Sequence, residues 1–289
     1  MILSNGELRI EISALGAELM SVYDLHNDTE LLFNGDPKYW KRRSPVLFPN
    51  VGKTFENKML IDGVTYATSQ HGFARDREFV LESSGETSAV YLLKSDAATL
   101  ERYPFDFELR IGYELHGRSM KVIWNVTNTS CKEMAFTIGG HPAFCFAQPT
   151  DSKEEYCLLL PGMNKLDCVL LDLASGTATP DNKVEIPLTG GVLPLTEELF
   201  ARDALVLDDG QVKEVWLCRK DGAKRVGMKC AGFPNFGIWS VKDAPFVCLE
   251  PWMGRCDNFG FASELREKPN VNLLAPGKVF EVSYEVLLP

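Results

Sequence analysis

"SMKVIWNVTNTS", residues 119–130, sets Val122, Trp124 and Val126 at every second position with polar residues between most of them. That is the period of a β-strand with one wet face. "GELRIEIS", residues 6–13, repeats the pattern, with Leu8, Ile10 and Ile12 alternating against Glu7, Arg9 and Glu11. Outward from these two, strand candidates recur along the chain: "TELLFNG", "SAVYLLKS", "FELRIGYELHG", "YCLLLPG", "ALVLDDG", "VKEVWLCRK", "FGIWSV", "FVCLEP" and "KVFEVSYEVLL". Gly, Asn, Asp and Pro separate them. Helical periodicity is confined to brief pieces such as "TEELF" and "SELREK". The fold class expected is all-β, a large antiparallel β-sandwich whose sheets pack face to face.

A chain of 289 residues can bury a sizeable core. No low-complexity linker, charge block or repeat of fixed period divides it, so residues 1–289 read as a single domain. The weakest point, "AQPTDSKEEY" at 147–156, is polar and proline-bearing and reads as a surface loop within that domain. Lys and Arg number 30 against 40 Asp and Glu, a formal charge of −10 that repels phosphate backbones and argues against nucleic-acid or anionic-membrane partners. No apolar run approaches the ~20 residues of a membrane helix. The start, "MILSNGELRIEIS", lacks the features of a secretory signal, and the expected location is the cytoplasm.

Eight cysteines fall mostly inside apolar segments and never as a CxxC pair, so they read as buried free thiols. The four histidines show neither HxH nor HExxH spacing, and no metal site is expected. Phosphate-cradling glycine motifs are absent as well, so no nucleotide cofactor is indicated. Any chemistry must come from side chains.

Two polar residues sit in apolar company. Glu250, in "FVCLEPWMG", is expected to end its strand on the face of Phe246 and Cys248, since the following proline favours extended geometry before it. His141, in "FTIGGHPAFCF", follows two glycines that permit close backbone approach and precedes a stiffening proline. The plain alternatives are a glutamate turned to solvent and a histidine satisfied by backbone carbonyls. His71 precedes a glycine in "QHGFARDREF", where Arg75, Asp76 and Arg77 crowd together; a solvated loop with local ion pairs is the alternative there. His26 and His116 lie in turn-like segments and receive no role.

Taken in order, "RRSPVLFPNVGK", "QHGFARDREF", "GGHPAF", "FGIWS" and "CLEPWMG" make the chain resemble the aldose 1-epimerase (mutarotase) family. More narrowly it is similar to the branch of lactose-operon-associated epimerase-like proteins, related to the hexose-6-phosphate 1-epimerases. The likeness runs from "GELRIEISALGAELMSV" to "APGKVFEVSYEVLL". It implies a supersandwich with the sugar in an open cleft on one sheet. By the same resemblance Glu250 is the general base, His141 the general acid, and His71 a second histidine that holds the sugar. Arg43, Arg75 and Asp76 match substrate-contacting positions, and Asp203 in "LFARDALVL" an acidic contact to hydroxyls. Galactose-type members carry an asparagine before the catalytic histidine, where this chain has Gly140.

The implied reaction takes the proton from the anomeric hydroxyl while protonating the ring oxygen, then closes the ring on the other face. A glutamate and a histidine suit it because modest shifts bring both near neutral pH, and each positioned group contributes ~10²–10⁴-fold. No metal or redox cofactor has a task. Trp239, Trp252 and Phe73 offer apolar faces for a sugar's C–H surface. The partner expected is a hexose or hexose phosphate, with the chain a monomer or homodimer. Two alternatives accompany this reading: a hexose-6-phosphate 1-epimerase, or a carbohydrate-binding module on the same fold without turnover. A glycoside hydrolase would want two acting carboxylates, and only one is well placed.

Overall fold

The stretch at 119–130 forms strand Ser119–Asn128, in which Met120, Val122, Trp124, Val126 and Asn128 are buried and the alternate residues half-buried. A computed structural model describes residues 1–289. In it this strand is paired with Phe107–His116 on one side and Val279–Leu287 on the other, both antiparallel. It thereby becomes a central strand of a nine-stranded sheet that runs from Val192–Pro194 to Val80–Ser84. An eight-stranded sheet is ordered Thr177–Pro187, Lys165–Asp172, Leu205–Leu207, Asn235–Trp239, Phe246–Met253, Ile138–Gly140 and Val46–Leu47, with Ala143–Cys145 pairing Phe246–Met253 beside that path. Pairing within both sheets is antiparallel throughout. The all-β sandwich expected from the period of two is the fold observed.

The sheets bury their inner faces against each other. One core cluster of 62 buried residues draws on the chain from Leu3 to Leu288, so both halves contribute to it. Phe73 belongs to this cluster, edge-on to Phe48, and is a core residue rather than a platform for sugar. "TEELF" and "SELREK" supply only the 3₁₀ turns Glu198–Phe200 and Leu265–Glu267. The α-helical content is the single turn Ala97–Leu100, which Asp96 and Thr99 close with a capping box. No helix is long and apolar enough to cross a membrane.

The 147–156 segment is tied down from beneath. Lys153, 1 % exposed, sends its ammonium to Glu197 Oε1 at 2.9 Å and to the carbonyl oxygens of Val241 at 2.7 Å and Ala244 at 3.4 Å. A buried ammonium is tolerated only with such partners. All eight cysteines are free thiols; six are buried, Cys145 is half-buried and Cys131 exposed.

Candidate active site

Strand Phe246–Met253 sorts its side chains by parity. Val247 and Leu249 enter the main core, whereas Phe246, Cys248, Glu250 and Trp252 take the opposite face. Its neighbour Asn235–Trp239 does the same, with Phe236 and Ile238 inward and Gly237 and Trp239 outward. The outward face of the eight-stranded sheet thus forms the floor of a cleft of about 630 Å³, a size suited to a small-molecule ligand.

Contrary to the expectation of a strand end, Glu250 lies inside its strand, which continues through Pro251 to Met253. The partner on one side explains how a proline is accommodated. Ala143 pairs with Cys248 and Gly139 with Trp252, but the partner strand is interrupted at His141 and Pro142. Leu249 N–H reaches the Pro142 carbonyl at 3.2 Å. Two residues on, the nitrogen of Pro251 faces the same side, at the interruption, where no ladder bond is lost. His141 occupies that gap, with its own N–H on the Pro45 carbonyl at 3.1 Å. The break at His141 faces Pro251, and the two segments there present His141 and Glu250 to the cleft.

His141 Nε2 lies 3.3 Å from Glu250 Oε2, and both residues are buried, at 6 % and 1 % exposure. Trp40 stacks on the His141 ring at 4.7 Å between centroids, while Trp239 and His71 meet it edge-on at 5.5 and 5.4 Å. The imidazole is therefore fixed on three sides. Burial presses its pKa down to about 3, with the Arg75 and Arg42 charges adding to the effect. Burial likewise drives the Glu250 carboxyl well above the usual carboxylate range, and the negative charge of Asp203 pushes it further. The resting pair favours a neutral imidazole beside a protonated carboxyl.

His71 is held by the backbone at both of its ends. Its N–H donates to the Gly52 carbonyl at 2.8 Å, and the Gly52 N–H donates to Nδ1 at 3.1 Å. Accepting at Nδ1 places the ring proton on Nε2, which makes His71 a donor toward the cleft. The residue takes a φ of +66°, and Gly72 after it has φ +70° with its α-carbon against the Phe48 carbonyl, where any Cβ would lie 2.2 Å from oxygen. Only glycine fits there.

Of the residues singled out from sequence, Glu250, His141, His71, Arg75, Asp203 and Trp239 line the cleft. Arg43 does not. Its guanidinium turns back to the Met20 carbonyl at 2.6 Å, and its N–H donates to Glu18 Oε1. The neighbouring Arg42 takes the cleft position instead. Asp76 also stays outside, exposed and paired with Arg42 at 2.5 Å, so it holds that arginine rather than a ligand. Asp203, in a left-handed turn at φ +74°, receives the Ala204 N–H and stands at the rim. Trp40, Lys41, Arg42, Lys53 and Gln70 complete the wall and went unread in the sequence. Adjacent arginines in "RRSP" point opposite ways, and outside a regular strand no period says which faces in.

The two titrations set opposite stability trends. Glu250 is held protonated in the fold, so its contribution is fully present below the ordinary value of 4.5 and is lost as pH rises through the raised folded value. Glu250→Gln keeps the shape without ionising, and is expected to melt several degrees above the parent near pH 8 and level with it below about pH 4. His141 is held neutral, so its contribution is present above 6.5 and is lost as pH falls toward about 3. His141→Asn should accordingly lose less stability on acidification. Melting curves across pH check both; equal alkaline melting of parent and Glu250→Gln would mean the carboxylate is not desolvated.

Residues 1–168 match the family model described as aldose 1-epimerase. The chain is 32 % identical to the chromosomally encoded protein LacX of Lactococcus lactis subsp. lactis, covering 99 % of this chain and 98 % of LacX. Among solved structures, a galactose mutarotase related enzyme from Lactobacillus acidophilus superposes with a TM-score of 0.93 at 32 % identity, covering 100 % of this chain and 97 % of its own. A galactose mutarotase-like protein from Lactobacillus casei gives 0.91 at 27 % identity, with 100 % and 99 % covered. By the family match over more than half of its residues and by its whole-length likeness in sequence and fold to these relatives, the chain belongs to the aldose 1-epimerase family.

Proposed function

We propose that the protein is an aldose 1-epimerase that interconverts the α and β anomers of a hexose, with Glu250 as general base and His141 as general acid. The observation carrying this reading is the buried pair itself, with Nε2 and Oε2 3.3 Å apart on the floor of an open cleft. Ring opening begins from carboxylate and imidazolium: Glu250 takes the anomeric hydroxyl proton while His141 gives a proton to the ring oxygen. The pair is then carboxylic acid and neutral imidazole, the form that burial favours. After rotation about C1–C2 the ring closes on the other face and both transfers reverse. One proton is kept throughout and the pair alternates between its two tautomers. His71 Nε2–H donates to a sugar oxygen, and Trp40, Trp239 and Trp252 give the sugar's C–H face an apolar surface. Polarimetry of freshly dissolved α-glucose and α-galactose, with and without protein, tests the reading. Mutarotation no faster than the buffer's would leave a sugar-binding module.

The cationic residues lining the cleft favour a second reading, in which the hexose carries a phosphate. Lys41, Arg42, Lys53 and Arg75 bring four cationic side chains to a cleft in a chain of net charge −10. Arg75 Nε is buried without a hydrogen-bond partner, while its Nη2 holds the Gln70 carbonyl at 2.7 Å. Charge-assisted contacts contribute ~1.5–3 kcal/mol each. On this reading kcat/KM for hexose 6-phosphates exceeds that for the free sugars, and Arg75→Gln lowers the first about tenfold or more while sparing the second. Equal or faster turnover of free hexoses by the parent would sink it.

A further inference from the structure

Beside the proton-transferring pair lies a buried thiol for which epimerisation has no use. Cys248 precedes Glu250 by two residues and shares its face, and its buried thiol lies close under the pair. Donor atoms of His141, Cys248 and Glu250 all fall within 4.8 Å of one another. They offer one imidazole nitrogen, one sulfur and one carboxylate oxygen, a set suited to a borderline-soft divalent metal. The separation of 3.3 Å between Nε2 and Oε2 is close to the ~3.4 Å edge of a tetrahedron with metal–ligand bonds of ~2.0–2.1 Å. Glu250 Oε2, buried and aimed at His141, has no hydrogen-bond partner in the protein. The ring stack with Trp40 holds the imidazole in place. His141 and Glu250 line the cleft and Cys248 is buried outside its lining, so the fourth position of an ion held by all three would face the cleft.

We propose that His141, Cys248 and Glu250 form an inhibitory site for zinc-class divalent metals, which occupies the two proton-transferring atoms and shuts the sugar out. The inhibitory part rests on the epimerase reading; the metal site does not. Binding releases the Cys248 thiol proton, and any proton on Glu250, to solvent, with no change of oxidation state. The metal is an antagonist here and not a cofactor, so chelator leaves the metal-free rate unchanged. Spacing in the sequence could not disclose the site because His141, in the break between two strands, and Cys248, within another, lie far apart in the chain.

The test uses Cd²⁺ as a probe and starts from Cys131→Ser, which removes the exposed thiol. Titration should raise a thiolate-to-cadmium charge-transfer absorption that saturates at about one equivalent, as three ligands holding one ion require. Zn²⁺ should bleach it. The further change Cys248→Ser, or Cys248→Ala where serine folds poorly, should abolish the band. In the epimerase assay Zn²⁺ should inhibit the parent at least about tenfold more strongly than the Cys248 variants, since losing even an outer partner of a metal costs ~10–100-fold. Chelator should restore the full rate. A band that survives loss of Cys248, or equal inhibition of parent and variants, overturns the proposal. A Cys248-dependent band in a protein that turns over no sugar keeps the metal site and removes the epimerase reading instead.

Discussion

Glu250→Gln and His141→Asn each lower kcat for anomer interconversion by ~10²-fold or more, the low end for removing one positioned acid or base. Glutamine keeps the shape of Glu250 and loses its basicity. Asparagine keeps a hydrogen-bonding group at 141 and loses the acid. The double variant should be barely slower than either single one, because a proton relay that has lost one member gains nothing from keeping the other. The ring contacts of His141 with Trp40, Trp239 and His71 make a packing defect the competing explanation for its variant. Rates are therefore normalised to folded protein from melting curves at the assay temperature. If His141→Asn melts early yet its folded fraction turns over at the parent rate, His141 is a packing residue and not the acid. Glu250→Gln separates the two cases from the other side, since its stability at neutral pH is expected to hold or rise while activity falls.

What the sequence disclosed follows the regularity of the backbone. Alternation over 119–128 and 8–12 was legible because one face of each strand is wet or half-wet and the other enters the core. Strand Lys165–Asp172 and its partner Thr177–Pro187 passed unread. The register slips at a bulge between Val169 and Leu170, and Asp181, Asn182 and Lys183 interrupt the apolar pattern. Glu250 was recognisable as a carboxylate in apolar company, but its place within a continuous strand was not. Pro251 signals an end wherever a full ladder flanks it, and only the gap at His141 in the neighbouring strand removes that objection. The cleft wall was the least legible part. Arg42 rather than Arg43, and Trp40 over the imidazole, are settled by how an irregular segment crosses the sheet. Gly140 shows the same dependence. A Cβ there would sit 3.0 Å from Trp124 and 3.1 Å from the Tyr284 hydroxyl, so the residue before the histidine answers to the core and not to the sugar.

Gly139→Ala and Gly237→Ala should each destabilise the protein by ~1–3 kcal/mol, the usual cost of overpacking a filled site, and at the same time impair turnover. The two glycines flank the indole of Trp252 from the neighbouring strands. A Cβ on Gly139 would lie 2.4 Å from Trp252 Cδ1, and one on Gly237 2.3 Å from Cζ2. Neither glycine has a positive φ, so backbone strain plays no part and the indole is the main obstacle. The bare backbone on both sides lets Trp252 lie flat beside Glu250 as part of the cleft floor. An added methyl must lift it, which disturbs the packing around the carboxyl and the surface offered to the sugar. The melting temperature should fall by several degrees and KM should rise. Shrinking the obstacle should relieve the clash: Gly237→Ala combined with Trp252→Leu is expected to be more stable than the sum of its parts by ~0.5–3 kcal/mol. Gly140→Ala serves as the contrast, because its methyl points at Trp124 and Tyr284 in the core, and Trp252→Leu should give it no relief. Additivity between Gly237→Ala and Trp252→Leu would show that the glycine answers to something other than the indole, and would remove Trp252 from the account of how the cleft floor is built.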